Sequence, residues 1–67
     1  RSPNTLWNEL LSWLFVKQDQ FYNAFAQEKA IYKRGDGISL ERMANLGELA
    51  LEEEAVEDAK EIFEYIL

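Results

Sequence analysis

The sequence predicts an all-α fold: four helices paired as two antiparallel hairpins that stack as a short α-solenoid. Three observations carry this prediction. Apolar residues recur at helical spacing in four segments. The breaks between them are short, and the middle one, Gly35-Asp36-Gly37, has strong turn chemistry. The two halves of the chain also align when shifted by 35 residues.

Ser2-Pro3 opens the first helix as an N-cap followed by Pro in the first turn. Leu6, Trp7, Leu10, Leu11, Trp13, Leu14, Phe15 and Val16 then cover much of the helix circumference. Such a helix is expected to be buried on more than one side, sandwiched between neighbours. Lys17-Gln18-Asp19 is a polar break, with Asp19 expected to cap the second helix. That helix places Phe21, Ala24, Phe25, Glu28, Ile31 and Tyr32 at helical spacing. Lys33-Arg34-Gly35 stops it: two cations at the carbonyl end, then Gly for a left-handed cap.

Ser39 is the expected N-cap of the third helix, with Ile38 and Met43 at the spacing of a hydrophobic staple. Its apolar face is Leu40, Met43, Leu46, Gly47, Leu49 and Ala50. No Gly or Pro follows, only Glu52-Glu53-Glu54, so a single helix to Leu67 competes with a turn. Phase decides between them. At roughly 100° per residue, Met43, Leu46, Gly47 and Ala50 share one side. Val56, Ala59 and Phe63 fall on nearly the opposite one. A turn near Glu53-Glu54 lets both faces meet; a straight helix does not.

In the 35-residue alignment Leu11 falls on Leu46, Ser12 on Gly47 and Phe15 on Ala50. Phe21 falls on Val56, Ala24 on Ala59 and Ile31 on Ile66. The small residues let helices approach closely, and large ones such as Phe15 and Phe63 fill the wedge between hairpins. The chain is thus one small domain, with hairpin one over about 3–34 and hairpin two over about 39–67.

Leu46-Gly47 on one helix, followed by Ala59 and Phe63 on the next, resembles the skeleton of a tetratricopeptide (TPR) hairpin. Residues 39–67 look like one such unit and residues 5–34 like a divergent one, in which Ser12 stands for the Gly and Glu28 for the final Phe. In the second unit, Met43 and Ala50 stand where the family usually has aromatics. Asn8 to Phe15, followed by Ala24 to Ala30, is also similar to hairpins of large bacterial repeat proteins. The resemblance implies a TPR-like α-solenoid, a fragment of a longer repeat protein, that binds a protein or peptide partner and is not an enzyme. Starting at Arg1 rather than Met fits an excised or processed piece. In that family the first helix of each hairpin lines the concave surface. By position, the surface here would include Glu9, Trp13, Lys17, Ala44, Glu48 and Glu52. Such a mostly acidic face suits a basic or partly apolar peptide or helix. Two repeats leave end faces open, so self-association through them is expected as well.

Composition narrows the function classes. There is no Cys and no His, which removes disulfides, thiol chemistry, zinc sites and His-based catalysis. Residues 1–34 carry five basic and three acidic side chains, and residues 35–67 two basic and ten acidic, for the net of −6. An acidic chain is a poor ligand for nucleic-acid backbones. No apolar stretch approaches a membrane span, so no membrane insertion is expected.

Several motifs invite chemistry and lack what it needs. Glu54, Glu57 and Glu61 share a helical face, but carboxylate di-metal bundles use Glu-x-x-His and no His exists. No metal or other cofactor is expected. Arg34-Gly35-Asp36 spells an adhesion tripeptide that the helix stop explains without it. Ser2, Ser12 and Ser39 lack a histidine base. Trp7 and Trp13, six residues apart, point to different sides of the first helix; Trp7 is expected in the core or covering a surface exposed only by excision, while Trp13 suits either that or an interface. The competing function is a small acidic helical bundle that dimerises and regulates by covering a basic protein surface.

Overall fold

The computed structural model describes residues 2–67. It is all-helical: α1 (Pro3–Lys17), α2 (Phe21–Lys33), α3 (Ile38–Glu52) and α4 (Val56–Ile66), with no strand among the described residues. Helix α1 pairs with α2 and α3 with α4, and the two hairpins stack through α2 against α3. The backbones of α1 and α3 stay apart, and the gap between them is a groove. The Cα frame measures 33 × 26 × 13 Å, so the outermost helices keep one side in solvent.

The helix boundaries repeat with the period of the sequence. Pro3 and Ile38 begin helices 35 residues apart, Lys17 and Glu52 end them, and Phe21 and Val56 begin the next pair. The cause is a shared stop. After α1 the Asp19 amide bonds the Val16 carbonyl and the Gln20 amide the Phe15 carbonyl. After α2 Gly35 bonds Tyr32 and Asp36 bonds Ile31; after α3 Glu54 bonds Leu51 and Ala55 bonds Ala50. These are three Schellman closures, each requiring a left-handed residue just past the helix. The residues that supply it are Asp19 (φ 57°), Gly35 (φ 98°) and Glu54 (φ 62°). Only Gly35 adopts that conformation without a Cβ clash.

Two expected caps are therefore corrected. Asp19 terminates α1 and does not cap α2; Gln20 precedes α2 without a capping side-chain bond. Ser39 lies inside α3, where its hydroxyl donates to the Asp36 carbonyl at 2.8 Å. The role expected of it falls to Asp36, whose carboxylate accepts the Ile38 amide at 3.1 Å. A short acidic side chain two residues before the first helical amide reaches it more directly than Ser39 can. With Ile38 already in the helix and exposed, no staple to Met43 forms. Ser2 does cap α1, accepting the Thr5 amide at 3.2 Å, with Pro3 next.

The core lies between the central helices and α4: Phe21, Ala24, Phe25, Met43, Leu46, Ala50, Ala59 and Ile62, with Phe15, Val16, Leu40 and Phe63 packed on it. Gly47 is required by close approach. A Cβ there would stand 2.7 Å from the Phe63 ring.

Helix α1 departs from expectation. Its buried residues are Thr5 and Ser12, while Leu6, Trp7, Leu10, Trp13 and Leu14 are exposed. The first part of the side of α1 facing α2 is polar: Asn8 donates to Gln27 at 2.7 Å, and Arg34 donates to both Thr5 and Asn8; only toward Phe15 and Val16 does it turn apolar. The helix is covered on one side only, and Trp7 is not in the core.

Candidate groove between α1 and α3

The groove is walled by Ser12, Trp13 and Val16 of α1 and by Arg42, Asn45, Leu46 and Leu49 of α3, with Glu28 of α2 at its floor. Its volume is about 240 Å³, and its lining is largely apolar. Trp13 and Leu49 stand exposed on opposite walls. The Lys17 ammonium lies 5.2 Å from the Trp13 ring centroid, a favourable placement of a cation on an aromatic face.

At the floor, Glu28 is 2 % exposed yet carries a carboxylate. It is tolerated because Arg42 pairs with it. Nε donates to Oε1 at 3.0 Å and Nη2 to Oε2 at 2.9 Å, the two-pronged geometry that suits a guanidinium. Nη1 reaches the other way to Glu9 of α1 at 2.9 Å. One side chain thus ties α1, α2 and α3 together. The bond from Glu28 raises the pKa of Arg42 above its ordinary value, against the opposing effect of burial. Among the described residues no buried side-chain polar atom lacks a partner.

The six positions expected on the concave face are distributed as follows. Trp13 lines the groove, Glu9 holds Arg42 at its edge, and Lys17 stacks on Trp13. Half-buried Ala44 and exposed Glu48 and Glu52 are not part of the lining. On α3 that lining is Arg42, Asn45, Leu46 and Leu49. The reason is geometric. Two helices related by a repeat face each other with opposite sides, so residues 35 apart cannot both look into the gap between them. The lining of this groove is apolar, with its one carboxylate paired to an arginine. Sequence reasoning did not single out Arg42. Its signal was Glu28 standing on an apolar helix face, where a buried carboxylate demands a cation.

Among the described residues, no three Asp, Glu, His or Cys side chains gather as a metal site. No helix there is long and apolar enough to cross a membrane. Comparison with known proteins finds no matching family model, curated protein or solved structure.

Proposed function

We propose that this chain is a protein–protein interaction module whose groove between α1 and α3 receives an amphipathic helix or apolar peptide of a partner. The observation that carries the reading is the pair Trp13 and Leu49, exposed across an apolar groove. Apolar anchors facing each other over a floor with satisfied polar groups are what helix-in-groove recognition uses. Exposed Glu48 and Glu52 lie on α3 outside the lining, in a half of the chain with two basic and ten acidic residues, so the partner carries basic residues beside its apolar face. The resemblance to TPR hairpins points to the same class of role, and no catalytic step is assigned.

The test is a titration with two designed 15-residue helical peptides, each with a Leu face, one flanked by Lys and one by Glu. The Lys peptide is expected to bind with a change in Trp fluorescence and the Glu peptide to bind far more weakly. Leu49→Lys is expected to abolish the response. If neither peptide binds, or if Leu49→Lys binds as well as the parent, the reading fails.

A second reading has one observation in its favour. The exposed apolar side of α1 fits a small acidic bundle that dimerises and then covers a basic protein surface.

A further inference from the structure

Helix α1 turns an apolar side to water. Its inward side mixes Thr5, Asn8, Glu9 and Ser12 with Leu11, Phe15 and Val16; its outward side is Leu6, Trp7, Leu10, Trp13 and Leu14. The outward five are exposed by 53, 59, 47, 56 and 41 %. Surface helices ordinarily place charged and polar residues on that side. Side chains of this size leave on the order of 500 Å² of contiguous apolar surface in water, near the upper limit of about 300–600 Å² seen on monomers.

We propose that α1 packs antiparallel against α1 of a second copy, across a two-fold axis at Leu10. Spacing supports this occupant. The stripe is centred on Leu10, so an antiparallel partner sets Leu10 against itself, Leu6 against Leu14 and Trp7 against Trp13. That is the self-complementary pattern of a closed dimer. Charge supports it as well. The charged residues of α1 are Glu9, already bound to Arg42, and Lys17, at the end of the stripe. Helix α4, at the other end of the stack, exposes Glu57, Lys60, Glu61 and Glu64. Head-to-tail stacking would lay the apolar stripe on that charged face. Contact through α1 keeps the two acidic hairpins on the outside, where their repulsion is weakest. Area supports it too: the stripe supplies well over half of the roughly 800 Å² that each partner contributes to a standard interface.

The dimer shares Trp13 with the groove reading, but Trp7, Leu10 and Leu14 lie outside the groove lining and Leu49 lies outside the stripe, so variants at Leu10 and Leu49 separate the two. Sedimentation equilibrium of the parent chain, Leu10→Glu and Leu49→Lys tests it. The parent is expected to be a dimer. Leu10→Glu sets two carboxylates together on the axis and should weaken dimerisation by about 100-fold or more, the effect of losing a central hot spot. Its circular dichroism should match the parent's, and Leu14→Lys provides a second disruption should Leu10→Glu fold poorly. Leu49→Lys should still dimerise. A parent that stays monomeric at several hundred micromolar overturns the inference, as would a dimer that survives both Leu10→Glu and Leu14→Lys. A dimer lost in Leu49→Lys but kept in Leu10→Glu would move the contact to the groove and overturn it equally.

Discussion

Arg42 of α3 grips the buried carboxylate of Glu28 on α2 through both Nε and Nη2, at 3.0 and 2.9 Å. Glu28 occupies in the first hairpin the position that Phe63 occupies in the second, 35 residues on. Where the second hairpin closes on itself with Phe63 against Gly47, the first turns a charged group toward its neighbour. The substitution of Glu for Phe thus couples the hairpins and fixes the α3 wall of the groove relative to α1.

Removing Arg42 should be costly. Arg42→Ala leaves Glu28 buried without its cation, and stability is expected to fall by about 2 kcal/mol. This is below the roughly 3–5 kcal/mol of a fully buried pair, because Arg42 is partly open to water. Replacing both partners, as Glu28→Leu with Arg42→Met, should restore most of the loss. Urea denaturation of the three variants decides this. If the double variant is no more stable than Arg42→Ala, the pair contributes more than charge compensation.

The Arg42 pKa is raised, so its contribution is fully present below the unfolded-state value and is lost only in strong alkali. From Arg42, therefore, no change in stability is expected between neutral pH and mild alkali. A denaturation midpoint that drops between pH 7 and pH 9, and drops less in Arg42→Ala, would contradict that assignment.

Glu54 holds a left-handed conformation in the turn between α3 and α4, at the steric cost that its Cβ brings. Glu54→Gly is expected to stabilise the fold by about 1 kcal/mol, while Asp19→Gly should gain less because Asp tolerates that conformation better. Gly35→Ala should destabilise by a similar amount. Thermal melts of the three single variants provide the comparison.

Gly47 faces the ring of Phe63 with no room for a side chain. Gly47→Val is expected to cost about 1–3 kcal/mol through overpacking. Combining it with Phe63→Leu should recover part of that loss, a coupling that a double-mutant cycle measures directly.

Most of the fold was legible because several independent signals agreed. Ser2-Pro3 marked the start of α1, and Lys33-Arg34-Gly35 marked the end of α2. The turn before α4 had no punctuating Gly or Pro and was found from the phase of Val56, Ala59 and Phe63 alone. Asp19 and Ser39 misled because their residue types favour N-caps, whereas backbone closure and the nearer Asp36 had taken those positions. The exposure of α1 was hidden for a different reason. An apolar sequence reports that a face will be covered but not whether this chain covers it. The groove lay between these cases: Trp13 was identified, but Arg42, Asn45 and Leu49 needed the packing of α3 to point them across the gap.

The central claim is that the groove between α1 and α3 is a docking surface. Its most direct test is amide chemical-shift mapping of the chain titrated with the Lys-flanked Leu-face peptide. Saturable shifts at Ser12, Trp13, Val16, Asn45 and Leu49, weakening as salt is raised, are the predicted result. Shifts confined to Leu6, Trp7 and Leu14, or none at saturating peptide, would contradict it.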